Sequence, residues 1–179
     1  MKSVDSQDLR YPIGKYQRPA QLPLDEHARA ALIRDIEHAP VGLRTAVQGL
    51  SEADLDKRYR PGGWTIRQVV HHVPDSHMNG YTRMRLAMTE ENPTIKPYRE
   101  AQWAELPDVH GVPIDVSLAL LEALHIRWTA FLRGLSAADF QRTFHHPELG
   151  DLPLDVALGI YAWHGKHHTA HVTNARGVR

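Results

Sequence analysis

The chain has 179 residues, 42% of them apolar, with 21 Lys plus Arg against 21 Asp plus Glu. That size and apolar share fit one folded domain over 1–179 and exclude a disordered chain. The balanced charge argues against bulk electrostatic capture of nucleic acid or of an anionic membrane, and a near-neutral surface favours self-association.

Residues 1–23 are polar and punctuated by Pro12, Gly14, Pro19 and Pro23, which predicts an extended arm. They lack the apolar stretch of a signal peptide, and no run in the chain reaches the roughly 18 apolar residues of a membrane span. A cytoplasmic protein is therefore expected. A first long helix is predicted over 24–50, with Asp25 as N-cap and Leu32, Ile33, Ile36, Leu43, Val47 and Leu50 at helical spacing. Pro40 should kink or divide it. Ser51 to Asp54 then has the form of a capping box with Asp in place of Glu.

After the Pro61-Gly62-Gly63 break, Thr65 is a good N-cap for a second long helix reaching about residue 89. Pro74 lies inside it and should bend it beside His72. Residues 91–115 hold Pro93, Pro97, Pro107 and Pro113 and read as a long crossover with a short turn around Trp103. A third long helix is expected over 116–135 and a fourth over 154–175, the last closed by Gly177. Between them, 145–153 reads either as a small hairpin or as an irregular lid. Residues 49–59 and 134–144 echo each other, both beginning Gly-Leu-Ser. Each copy follows a long helix and precedes a helix with a histidine cluster. The pattern predicts an all-α four-helix bundle with a pseudo-repeat, a long crossover between the second and third long helices, and short extra helical turns.

With no cysteine among the 179 residues and 13 histidines, any metal must be held by His, Asp, Glu or water. His164 and His168 lie about 40° apart on one helical face, a spacing at which two imidazoles can share a divalent ion. A third ligand must come from a facing helix, and His71 and His72 are the obvious supply. His72 lies near the stripe of Ile66, Val69, Val73 and Ser76, while His71 falls about 100° away. His167 and His171 form a competing pair, so periodicity prefers the set His72, His164 and His168 only modestly.

Other groups carry less weight. Asp75 could orient His72, and His77 and Tyr81 could line a pocket mouth; these three are the catalytic candidates, and no general base is identifiable. Glu90, Glu91 and Glu148 read as surface charges, and Trp64, Trp128 and Trp163 as core. His145-His146-Pro147 reads as a polar rim or a turn. Neither a phosphate-binding glycine loop nor a nucleophile elbow is present.

Several of these stretches resemble one family. The run Gly-Gly-Trp-Thr-Ile-Arg-Gln-Val-Val-His-His-Val-Pro-Asp over 62–75, continued by His77 and Asn79, is similar to the signature of the DinB-like superfamily, and closely to its YfiT branch. Tyr11 to Lys15, Leu118 to Trp128, His146-Pro147 and Tyr161 to His168 match that branch in order. The resemblance covers nearly the whole chain. It implies a four-helix bundle holding one zinc or nickel ion on three histidines, which fall on His72, His164 and His168. It further implies a cytoplasmic homodimer that is either a metal-dependent hydrolase acting on a small substrate or a relative of bacillithiol S-transferases. The latter join a low-molecular-weight thiol to an electrophile. Pro74 departs from the pattern, where a helix-favouring residue such as Ala is expected. A three-histidine ion keeps an open position, able to activate water or an incoming thiol, and the thiol is the reading preferred here. A non-catalytic, metal-stabilised module would instead show a closed shell, with His171 or Asp75 as a fourth ligand.

Overall fold

A computed structural model describes residues 8–177. Its long helices are α1 (Glu26–Val47), α3 (Ile66–Thr89), α6 (Ile114–Arg133) and α7 (Leu154–Gly177). Short helices α2 (Glu52–Leu55), α4 (Glu100–Trp103) and α5 (Pro107–Gly111) lie in the connections. The four long helices form the bundle: α1 packs against α6 and α7, and α3 packs against the same two. The first two long helices in the chain are thus on a diagonal rather than side by side. The long connection joins neighbours, α3 and α6.

Local chemistry starts these helices where the sequence places them. The Asp25 carboxylate accepts from the Ala28 N–H at 2.7 Å and caps α1. Thr65 and Gln68 form a reciprocal capping box at the head of α3. Ser51 and Asp54 do the same for α2. The internal echo is realised in atoms: Ser136 and Asp139 repeat the bonds of Ser51 and Asp54, with hydroxyl-to-carboxylate distances of 2.7 Å in both copies.

On three points the structure decides between alternatives or departs from the expected boundary. Of the two outcomes expected at Pro40, division does not occur: it is buried inside a continuous helix, as is Pro74. The missing N–H removes one ladder bond, but packing on both sides holds the helix together. Of the two readings of 145–153, the hairpin is the one found: β1 (Thr143–His146) pairs antiparallel with β2 (Gly150–Pro153), a minor addition to the helical bundle. Gly150 at φ 74° supplies the left-handed conformation its turn requires. Finally, α7 continues through Gly177 instead of stopping before it.

The core has two parts along the bundle. One contains Ile33 and Ile36 of α1, Met84 of α3, Trp128 and Leu132 of α6, and Leu154 and Leu158 of α7. The other contains Leu43 of α1, Val69 and Val73 of α3, Leu121 of α6, and Val172 of α7. Between these two apolar ends, each of α3, α6 and α7 turns histidines inward: His72 and His77, His125, and His164 and His168. The arm after residue 8 lies against the outer face of α7, where the Trp163 indole donates to the Gly14 carbonyl at 3.2 Å and Tyr16 meets Trp163 edge-on. Among the described residues no helix is long and apolar enough to cross a membrane.

Candidate metal centre

His72 comes from the second turn of α3, and His164 and His168 come from one face of α7. The bundle brings one ligand nitrogen from each to within 4.8 Å of the others. His72 Nε2 and His164 Nε2 are 3.3 Å apart. A tetrahedral ion with metal–nitrogen bonds of about 2.0–2.1 Å sets its ligand nitrogens roughly 3.3–3.4 Å apart. The observed spacing therefore suits a shared ion. It is longer than an ordinary N–H···N contact between two buried rings.

Burial pushes the His72 imidazole down to about 4 and the His164 and His168 rings well below the ordinary histidine value. All three rings are thus neutral at physiological pH, the state in which a nitrogen offers a lone pair. His168 turns its Nδ1 toward His171 Nδ1 at 3.4 Å, which leaves Nε2 for the centre. His171, considered above as a fourth ligand, is behind His168 and stacked on Tyr59 with ring centroids 4.0 Å apart. Its competing partner His167 is stacked on Trp163. His71 points to α6 and meets Ser117 Oγ at 2.7 Å.

One side of the centre is open. A cavity of about 370 Å³ is lined by His72, His164 and His168 together with Trp64, Ser76, Tyr98 and Glu100. Trp64 packs over His72, ring centroids 4.6 Å apart, and so shields one wall. Glu100, at the first position of α4, is the one carboxylate among the lining residues. Glu100 and Tyr98 went unrecognised in the sequence. Both lie in the proline-rich crossover, which has no periodicity to show which side chains face the bundle.

The three catalytic candidates fare differently. His77 touches the centre, but from behind: its Nε2 is 3.0 Å from His164 Nδ1, and the ring has no solvent exposure. Asp75 is absent from the cavity lining. Burial, then the nearby Asp108 carboxylate, push it up to about 6. Tyr81 is elsewhere, its ring packed edge-on against Phe131 and its hydroxyl accepting from Arg85 at 2.9 Å.

The chain is similar to known proteins over nearly its whole length. A "Putative metal-dependent hydrolase" of Bacillus cereus (strain ATCC 10987 / NRS 248) is 54% identical over 169 residues, spanning 94% of this chain and 96% of its own length. A protein of the same name from Bacillus anthracis (strain CDC 684 / NRRL 3495) is 53% identical over the same shares. Among solved structures, YfiT from Bacillus subtilis superposes with a TM-score of 0.89 at 46% identity, over 93% of this chain and 95% of that one. It is described as "a probable metal-dependent hydrolase with an unusual four-helix bundle topology". The diagonal placement of α1 and α3 fits such a description. The sequence profile of the DinB superfamily matches residues 35–172, more than half of the chain, and with these relatives it establishes that the chain belongs to the DinB superfamily.

Proposed function

We propose that this protein is a divalent-metal-dependent enzyme in which His72, His164 and His168 hold one zinc or nickel ion, and that the ion activates a small thiol for attack on an electrophile. The observation that carries the proposal is the set of three neutral nitrogens at the floor of an open cavity. When bound, a divalent ion on three neutral imidazoles keeps its full charge and an open position, and it lowers the pKa of a water to about 7 or deprotonates a thiol outright.

The chain's own residues supply the rest. With no cysteine in the sequence, the thiol must come from a cosubstrate of the bacillithiol type. The Trp64 ring shields the His72 side of the cavity from water. Glu100 lines the same cavity and would take the proton that the nucleophile loses. The sulfur then bonds to the electrophilic carbon, whose leaving group departs with its electron pair. A cytoplasmic homodimer completes the proposal and rests on the family resemblance; light scattering on purified protein measures the assembly.

Hydrolysis is the second reading. Two observations favour it: the names of the relatives, and Glu100, since attack by water needs a base more than attack by a thiolate does. One set of assays separates the two. Purified protein is analysed for bound metal, then given a low-molecular-weight thiol with a fluorogenic electrophile, and separately amide and ester substrates. The thiol reading expects metal-dependent conjugation and little hydrolysis, and the converse pattern replaces it with the hydrolase. Retention of metal by His72→Ala or His168→Ala would remove the ligand assignment. Under either reading Glu100→Gln should lower kcat about 10²-fold or more while metal content is unchanged.

A further inference from the structure

Behind the candidate centre, the four long helices are joined by a chain of hydrogen bonds through three histidines, of which His77 and His125 are buried. His125 Nδ1 of α6 is 2.5 Å from the Ile36 carbonyl oxygen of α1. His125 Nε2 is 2.7 Å from His77 Nδ1 of α3. His77 Nε2 is 3.0 Å from His164 Nδ1 of α7. The His77 and His125 rings are 12° from parallel with centroids 4.9 Å apart. Since the nitrogens themselves are far closer than the centroids, the rings meet edge to edge, as an in-plane N–H···N bond requires.

The chain has a direction, and its far end sets it. A carbonyl oxygen can only accept, so His125 Nδ1 carries hydrogen. The ring is fully buried, and burial pushes it down to about 4, so it is neutral and Nε2 is a bare lone pair. His77 Nδ1 must then donate to it, which leaves His77 Nε2 as an acceptor. His164 Nδ1 must in turn donate to His77. The remaining nitrogen, His164 Nε2, is left with its lone pair facing His72 Nε2 at 3.3 Å. Reversing the chain would set two lone pairs against each other at the Ile36 end.

The sequence supplies the anchor in an unexpected place. Pro40 is four residues after Ile36 and has no N–H, so the Ile36 carbonyl lacks its helical partner. The free oxygen is what His125 bonds. The relay is also tightly walled. Trp128 packs edge-on against both His77 and His125 at 5.7 Å, and Tyr161 does so against His77 at 5.7 Å.

We propose that His77 and His125 are positioning residues: a one-way hydrogen-bond relay, anchored on the Ile36 carbonyl that Pro40 leaves free, locks His164 as its Nδ1–H tautomer and presents Nε2 to the metal. The inference rests on the reading of His164 as a ligand. It also assigns His77 a task other than proton transfer with substrate, which its burial prevents. Support for a ligand's outer nitrogen typically contributes about 10- to 100-fold in metal affinity.

The test uses full-length protein with ¹⁵N-labelled histidine, first stripped of metal and then titrated with zinc. Long-range ¹⁵N–¹H correlation spectra report which ring nitrogen carries hydrogen. His164 and His125 of the metal-free wild type are expected in the Nδ1–H form. His77→Leu should release His164 into a tautomer mixture and weaken zinc binding about 10- to 100-fold in competition with a chelator. His77→Gln can accept from His164 through its amide oxygen and donate to His125 through its amide nitrogen, so it should restore most of both. His164 in the Nε2–H form in the metal-free wild type, or an unchanged tautomer and affinity in His77→Leu, would overturn the relay. The wild-type spectrum decides the matter even where a variant fails to fold. It also separates the two claims, because a wild type that binds neither zinc nor nickel ends the metal reading while the tautomer of His164 still judges the relay.

Discussion

Single side chains set how tightly the histidine layer is held. Gly80 of α3 faces the Tyr161 ring of α7 so closely that an added Cβ would be 2.3 Å from Tyr161 Cζ. The ring cannot simply yield, since it packs against Trp128 at 5.2 Å and His77 at 5.7 Å, and its hydroxyl accepts from Arg83 at 3.3 Å. Gly80→Ala would favour helix by about 1 kcal/mol. The overpacking outweighs that gain, and a net loss of about 1–3 kcal/mol is expected in urea unfolding. An unchanged midpoint would mean that the Tyr161 ring swings aside freely. The residue scale is also where the sequence was least legible. His164 and His168 are visible as an i, i+4 pair on one stripe. The choice of His72 over His71 is weak on periodicity and needed the family resemblance. The His77–His125 bond joins residues 48 apart on different helices, and no spacing rule encodes it.

Elements were readable wherever local chemistry marks their ends. The head of α3 is the clearest example, because Thr65 and Gln68 close a reciprocal box: the Thr65 hydroxyl accepts from Gln68 N–H at 3.1 Å, and the Gln68 amide oxygen accepts from Thr65 N–H at 2.9 Å. The Gln68 amide nitrogen also donates to the Ala104 carbonyl at 3.0 Å and to Glu105 at 2.7 Å, tying the crossover to the helix that carries His72. Thr65→Ala should cost about 1 kcal/mol, the usual value of a lost cap, seen as a lower urea midpoint with little change in slope. Loss of less than a few tenths would show that Gln68 holds the helix start alone. The crossover was legible only in part: the short turn expected around Trp103 is α4, but α5 and the side chains that face the cavity were not foreseen. Helices α4 and α5 have four and five residues, too few to display a hydrophobic period. The hairpin was likewise ambiguous, because its four-residue strands alternate only faintly.

At the scale of the molecule, one buried carboxylate ties the end of the bundle together. Asp155, in the first turn of α7, accepts from Arg29 of α1 at 2.7 and 3.0 Å, from the Leu24 N–H just before the α1 cap at 2.9 Å, and from Gln141 before the hairpin at 2.9 Å. Burial pushes this carboxyl up, but Arg29, Leu24 and Gln141 together outweigh it and hold the group below its usual value. An unfolded aspartate titrates near 3.9, so the stabilisation is complete above about pH 4 and is lost as pH falls through the lower folded value. Asp155→Ala leaves the Arg29 charge buried and unpaired, and a loss of about 3–5 kcal/mol is expected at pH 7. The gap between variant and wild type should close as pH drops below about 4, and a gap constant with pH would show that packing, not charge, does the holding. Removing both partners is a sharper test. An ordinary buried pair can be exchanged for apolar residues at little cost. Here the Leu24 N–H and the Gln141 amide would also lose their acceptor, so Arg29→Met combined with Asp155→Leu should remain less stable than wild type.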